Sequence, residues 1–343
     1  MNVAFICDPE KYRHEDNDIP MTYRAAARDP RIDLFHIPTS EVTGTDDVAV
    51  TPIETNDLSH EAFLGLNDEA RVTMPVSALD VIFCRTLKPF PHGYLDRLGR
   101  WLDYTQFLNN PINKKLQISA GFLSNLAPNF TPDTVVAIDA DDLSAFLARH
   151  RVVVAKRPNS TGGLGVFKIW REDRIFMTDH IRHGIRQHES LGDVMDYARG
   201  EWDRIELVRY LDRATAGDKR IVVIDGEIYG AYLRRSVSGH WVHNVSNSDS
   251  KCTIADITDF ERLAIDRTVP LYREYGFHTL GYDFLTNNDG GWLISEINVG
   301  NIGGISRLEL LTGEPYIARF LTWIIALAKR PAMQCAPTSE LRV

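Results

Sequence analysis

The stretch LISEINVGNIGGI, residues 293–305, sets Glu296 and Asn298 two residues apart in an apolar run and follows them with glycines. Upstream, LGYDFLTNND carries Asp283 in a second apolar run. Asp289-Gly290 lies between the two, and Asp-Gly flanked by apolar runs signals a two-residue hairpin turn. That turn places Asp283 opposite Glu296, with Asn298 on their face because strand side chains alternate. Directly opposed carboxylates destabilise a sheet, so the pair calls for a counter-charge. Mg²⁺ suits it: it is hard, takes oxygen ligands and bridges carboxylates to phosphates. The competing reading leaves Asp283 in solvent and pairs Glu296 with an arginine.

A second hairpin, DKRIVVIDGEIYGAYLRRSV, turns at Asp225-Gly226. In that register Arg220 faces Ala231 and Arg235 lies on the same face. Two guanidiniums there suit phosphate oxygens, and a merely solvated basic face is the plainer alternative. A third element, VVVAKRPNSTGGLGVFKI, delivers Lys156 from an apolar strand and then turns through Ser160, Gly162 and Gly163. Glycines let backbone N–H groups approach phosphates, and the lysine adds charge. Neither GxxxxGK[ST] nor GxGxxG is present.

These residues need a scaffold, and 343 residues predict two or three domains. Strands alternating with helices predict an open α/β unit for residues 1 to about 120. The segment 41–75 is polar and unassigned. A net charge of −9 argues against nucleic acid as partner. Four scattered cysteines without a CxxC pair argue against a zinc ribbon and fit reduced thiols in a cytoplasmic protein. The run FLTWIIALA is too short to span a bilayer and reads as a packed helix, so no membrane partner is expected. DHIRHGIRQHE, with His180, His183 and His188, reads as an exposed helix or lid, and a zinc site there would lack HExxH. His240 and His243 flank the region of Asn244 and are expected along the cleft. No GxSxG elbow is present for a serine hydrolase.

Taken in order, these motifs resemble the ATP-grasp superfamily, and within it the bacterial glutathione synthetase branch. AFICDP followed by Asp18, VIFCRTLKPF with Arg85, NNPINKKLQ with Lys115 and AKRPNSTGGLGVFKI with Lys156 are similar to that branch's landmarks. VRYLDRATAGDKRIVVIDGE resembles its adenine hinge, and SEINVGNIGGI its metal-binding end. The resemblance implies an α/β ATP-grasp fold: an N-terminal open α/β (pre-ATP-grasp) domain over 1–120, a central lid with the glycine flap over 121–205, and a C-terminal grasp domain over 206–332. ATP would lie between the last two. The resemblance further implies that Lys115 and Lys156 hold phosphates beneath the flap residues Ser160, Gly162 and Gly163. It places adenine at the backbone of Val208 and Leu211, with Glu206 nearby and Asp218 at the ribose. Arg220 and Arg235 would be catalytic, with Asn244, at the γ-phosphate and acyl intermediate. Asp283, Glu296 and Asn298 would bind two Mg²⁺ ions, Mn²⁺ being an alternative. Asp18, Arg85, Gly303 and Gly304 would touch the substrates, and a homodimer or homotetramer is implied.

The chemistry so implied is ATP-dependent joining of a small-molecule carboxylate to an amine through an acyl phosphate, releasing ADP and phosphate. Two departures bear on substrates. Ile19-Pro20 stand where the family has serines, and GNIGG stands where it has a Thr/Ser-Pro-Thr-like stretch. The expectation is therefore an amide or peptide ligase for an amino-acid-like or peptide acid. Glutathione synthetase proper, a non-catalytic ATP-binding protein like the synapsins, and a kinase are the alternatives.

Overall fold

The computed structural model describes residues 1–236, 240–242, 250–287 and 289–330. Asn244, His243 and Cys335 lie outside the described residues. The described residues build three sheets.

The first sheet holds β1 (Asn2–Cys7), β2 (Asp33–Pro38), β3 (Asp47–Ile53), β4 (Val72–Pro75), β5 (Val81–Cys84) and β6 (Gln106–Phe107), in spatial order β4-β3-β2-β1-β5-β6. Its centre is parallel, β1 pairing with β2 and β5. The unassigned polar segment supplies β3 and β4 as an antiparallel extension, with the short helix His60–Leu64 between them. Strand β1 is buried from Val3 to Cys7, as a central parallel strand must be.

The second sheet is antiparallel: β7 (Thr134–Ala137), β8 (Val152–Lys156), β9 (Val166–Glu172), β10 (Ile175–His180), β11 (Gly184–His188) and β12 (Ile205–Arg209), in order β11-β10-β9-β8-β12-β7. Helices Ala140–Arg149 and Leu191–Arg199 cover it, the first capped by the Asp139 carboxylate and the second by a Ser190/Asp193 capping box. The histidine-rich segment, expected as an exposed helix or lid, is not a helix but the β10–β11 hairpin. Its apolar residues are too few for a helical face, and Gly184, at φ 63°, serves the turn between the strands.

The third sheet is β13 (Asp218–Ile224), β14 (Glu227–Ser236), β15 (Ser250–Ile254), β16 (Thr279–Thr286) and β17 (Trp292–Val299), in order β15-β14-β13-β16-β17. Helix Asp259–Glu274, which tolerates Pro270, packs on one face. Phe122 joins that core against Tyr272 and Tyr275. The helix Tyr316–Ala328 crosses back to the first sheet, where Phe320 packs edge-on to Phe83.

Both hairpins of the third sheet contain a bulge, and the bulges decide which side chains share a face. At the first turn Asp225 and Gly226 both have positive φ, 47° and 79°, which a type I′ turn requires. The register then slips by one at Val222/Val223, leaving Tyr229 without a partner. Arg220 therefore faces Tyr232, not Ala231, and Asp218 faces Arg234. The arginine sharing Arg220's face is Arg234, and the expected Arg235 turns to the other side. In the second hairpin the loop is wider than the expected two residues, with Thr286 opposite Trp292. A bulge between Asp283 and Phe284 corrects the offset, and Asp283 does face Glu296.

Candidate active site

The three sheets enclose a cleft of about 1200 Å³. Its lining includes Asp18 and Arg85 from the first unit, and Lys156, Ser160, Gly162, Gly163 and Glu206 from the second. The third sheet and its following loop supply Arg220, Asp283, Glu296, Asn298, Gly303 and Gly304. Thirteen of the expected site residues thus meet in one cavity.

Five others do not line it. Lys115 is exposed on the outer side of its short helix and pairs with Asp96. Its neighbour Lys114 is the buried one, donating 2.8 Å to the Val299 carbonyl, and burial holds its pKa well below the ordinary lysine value. Val208 and Leu211 are buried at 7% and 3% exposure, and Val208 sits in a strand paired on both sides. Asp218 lies behind the lining, its carboxylate gripped by Arg234 at 2.6 Å. Arg235 is exposed and its Nε donates to the Ala216 carbonyl. His240 approaches Asp179 of β10 at 3.8 Å and is likewise outside the lining.

The floor of the cleft is an ion-pair network on one face of the third sheet. Arg220 grips Asp283 at two points, Nε to Oδ1 at 2.5 Å and Nη2 to Oδ2 at 2.9 Å. Arg234 bridges Asp218 and Asp283, reaching Asp283 Oδ1 at 2.7 Å. Burial pushes the Asp283 carboxyl up, but the two guanidiniums outweigh it and hold it below the usual value. Burial wins at Asp218, whose carboxyl is raised. Arg234 and Tyr232 are the residues that reading the strand by simple alternation missed. A glycine inside a strand often marks a bulge, and Gly230 beside the unpaired Tyr229 was that signal.

The network also answers the question of the counter-charge. For Asp283 it is arginine. Among the described residues no group of three or more His, Cys, Asp or Glu side chains could hold a metal. His180, His183 and His188 are hydrogen-bonded to the Leu164 carbonyl, Tyr197 and Thr178, with the His180 and His183 rings packed 4.4 Å apart. Glu296 differs from Asp283: it is exposed in the cleft, with no ion pair to any described residue. Asn298 donates its Nδ2 to Asp283 Oδ2 at 3.1 Å, which leaves its Oδ1 to accept. One carboxylate and one amide oxygen from the same strand, completed by phosphate oxygens, are a donor set that fits Mg²⁺.

Lys156 reaches across from the second sheet, its Nζ 2.8 Å from the Ser295 carbonyl. Glu206 accepts from the Gly121 N–H at 2.7 Å. Asn159, at the flap, accepts from the Phe90 N–H at 3.2 Å, so the flap touches the first unit. Asp18 and Arg85 clamp the glycine loop after β17. Asp18 Oδ1 accepts from the Ser306 N–H at 2.7 Å, at the start of helix Ile305–Thr312, and Arg85 Nη1 donates to the Gly300 carbonyl at 2.8 Å. Gly304 has φ 112°, and a Cβ there would stand 2.6 Å from the Tyr232 hydroxyl, so only glycine fits.

Fold and cleft together define an ATP-grasp protein, and comparison with known proteins agrees. The chain belongs to the prokaryotic glutathione synthetase family: the model of that family's ATP-grasp domain matches residues 122–313. Glutathione synthetase of Rhodopseudomonas palustris is 28% identical over 320 residues, covering 92% of this chain and 94% of the relative. Glutathione synthetase of Neisseria meningitidis is 24% identical over 336 residues, covering 93% and 97%. Among solved structures, a D-cycloserine synthetase superposes with TM-score 0.65 at 14% identity, covering 96% of this chain and all of that one. D-alanyl-alanine synthetase A from Vibrio cholerae superposes with TM-score 0.63 at 11% identity, covering 96% and 98%. The protein is an ADP-forming carbon–nitrogen ligase of the ATP-grasp class, a family that uses ATP and a divalent metal. No helix among the described residues is long and apolar enough to cross a membrane.

Proposed function

We propose that the cleft joins an amino-acid-like or peptide carboxylate to an amine, and that its parts divide as follows. Lys156 and the flap at Ser160, Gly162 and Gly163 hold the phosphates. Glu206 lies toward the nucleoside. Arg220 and Arg234 offset charge on the transferred phosphoryl group and the acyl intermediate, with Arg234 in the role expected of Arg235. Glu296 and Asn298 would hold the divalent metal, which when bound neutralises phosphate charge; two Mg²⁺ ions are proposed, with Mn²⁺ as a substitute. Asp283 keeps both arginines in place. Lys115, Val208, Leu211 and Asp218 then act at most from outside the cleft wall.

The substrate carboxylate attacks the γ-phosphorus, the bond to ADP breaks, and an acyl phosphate results. The amine then forms the C–N bond, phosphate leaves with the bonding electrons, and the amine's proton passes to solvent. The flap contact with Phe90 supports shielding of that acyl phosphate from water. The observation that carries this reading is the face holding Arg220, Arg234, Asp283 and Glu296, with Lys156 reaching over it.

Glutathione synthetase proper, joining γ-glutamylcysteine to glycine, is the second reading, favoured by the relatives at 24 to 28% identity. Ile19 and Pro20 are buried in helix Asp18–Arg28, where they offer no hydroxyl to an acyl substrate, which favours a different acid. The three units expected as 1–120, 121–205 and 206–332 are proposed with the second extended through β12 to Arg209, since that strand belongs to the second sheet, and the assembly is proposed as a homodimer or homotetramer, which light scattering would resolve. Cys7 and Cys84, neither in a disulfide, support a reducing, cytoplasmic setting.

Phosphate release from ATP and Mg²⁺, with ADP and AMP resolved, tests the reaction against a panel of amino acids and short peptides. ADP and phosphate formed only with a matched acid and amine establish the ligase. AMP formation refutes the acyl phosphate.

A further inference from the structure

The charges around the cleft are unevenly shared. The chain carries a net −9, yet eleven lysines and arginines line this cavity against five carboxylates. On the second and third sheets Lys156, Arg157, Arg182, Arg220, Arg234 and Lys251 stand against Glu206, Asp283 and Glu296, an excess that nucleotide phosphates would offset. A second excess sits away from the phosphate groups, on the wall made by the first sheet's loops and the start of helix Ile305–Thr312. There Arg13, Arg85, Lys88 and Arg307 face Asp16 and Asp18. None of the four cations forms an ion pair with a carboxylate among the described residues, and one oxygen of Asp18 is already committed to the Ser306 N–H.

Arg85 supplies a second, independent sign. It is 4% exposed, its Nη1 is anchored on the Gly300 carbonyl, and its Nε is buried with no acceptor. A buried guanidinium nitrogen left without an acceptor is uncommon, because its desolvation goes uncompensated. In the wall of a cavity, a ligand oxygen is the natural acceptor. A cleft lined by one sign of charge also focuses its field and concentrates the opposite ion.

We propose that the acyl substrate is a polyanion, carrying at least two anionic groups, carboxylate or phosphate, besides the carboxylate that is activated. The inference rests on the ligase reading above. Asp18 Oδ2, buried and unpartnered, leaves room for one N–H or ammonium donor on the same molecule.

The first arm of the test is binding, which needs no turnover. Tricarballylate, with three carboxylates and no amine, is titrated into the full chain by calorimetry with and without saturating ADP. Acetate at matched ionic strength is the control. Tricarballylate is expected to bind at least about tenfold more tightly than acetate, additively with ADP, and to weaken by about tenfold in K88M/R307Q. ADP binding by the variant reports that it is folded. Equal affinity for the two acids, or displacement of tricarballylate by ADP, overturns the proposal. The second arm is ADP formation across neutral, mono-anionic and poly-anionic amino acids and peptides. Turnover confined to neutral or mono-anionic acids refutes the polyanion and keeps the ligase. Polyanion binding without ADP formation on any acid keeps the anion site and removes the ligase reading.

Discussion

Arg220 and Asp283 face each other across β13 and β16 and form a two-point ion pair, with Nε to Oδ1 at 2.5 Å and Nη2 to Oδ2 at 2.9 Å. Both side chains are 8% exposed. Removing one partner of a buried pair leaves an uncompensated charge, at a cost of about 3–5 kcal/mol. Asp283→Ala is therefore expected to lower Tm by several degrees besides losing activity. Thermal unfolding checks this, and an unchanged Tm would show that the arginines do not depend on Asp283.

The register of β13 and β14 separates two adjacent arginines. Arg234→Lys keeps the charge but loses the fork that spans Asp218 and Asp283. It is expected to lower kcat by about 10²-fold, the scale of one oriented donor. Arg235→Lys, on the opposite face, is expected to stay within about threefold, as surface substitutions usually do. The reverse order would place the bulge elsewhere.

Glu296 is exposed and without an ion pair, so its loss should leave the fold alone. Glu296→Gln is expected to abolish ADP formation with Tm shifted by no more than about 0.5 kcal/mol equivalent. Activity within a few-fold of the parent would rule out this carboxylate as a metal ligand, and titration of Mg²⁺ in the presence of nucleotide gives an independent readout.

Two lysines make a matched pair of tests. Lys115 joins Asp96 at the surface, a contact worth about 0–1 kcal/mol, so Lys115→Ala should leave the KM for ATP nearly unchanged. Lys156→Ala should raise that KM by about tenfold or more, through lost phosphate contacts. A large effect at Lys115 would mean that its side chain swings into the cleft when nucleotide binds.

His36 links stability to pH. It is fully buried between the Tyr23 hydroxyl at 2.7 Å and Asn67 Oδ1 at 2.9 Å, and burial holds its pKa down at about 4. The unfolded chain binds this proton near pH 6.5, so the folded state is penalised below that value. The stabilising contribution is complete above about pH 6.5 and is lost as pH falls toward 4, at about 1.4 kcal/mol per unit. Tm measured from pH 7 to 5 should fall less steeply in His36→Asn than in the parent. Parallel slopes would show that His36 is not the group responsible.

Much of the site was legible from local chemistry. Lys156 ends an apolar strand, the glycine flap follows it, and Asp-Gly at 225–226 marks a turn that only positive φ permits. Glu296 opposite Asp283 was also legible, although by a route that alternation alone did not predict: the wider loop and the bulge cancel each other. The fold class followed because each motif arrived in the order the family requires.

What the tertiary structure alone decided is which of two neighbouring residues faces the cleft. Strand side chains alternate with a period of two, so a single bulged residue reverses every assignment beyond it. Tyr229 is that residue, and it exchanges Arg235 for Arg234. On the helix Lys114–Gln117 burial rather than register separates two lysines, Lys114 drawn inward by the Val299 carbonyl and Lys115 held outside by Asp96, and neither lines the cleft. The counter-charge of Asp283 was equally hidden, because β13 and β16 pair across the fold and Arg220 and Asp283 lie 63 residues apart in the chain. Local pattern names the residue types a site requires; long-range pairing selects which copies of them meet.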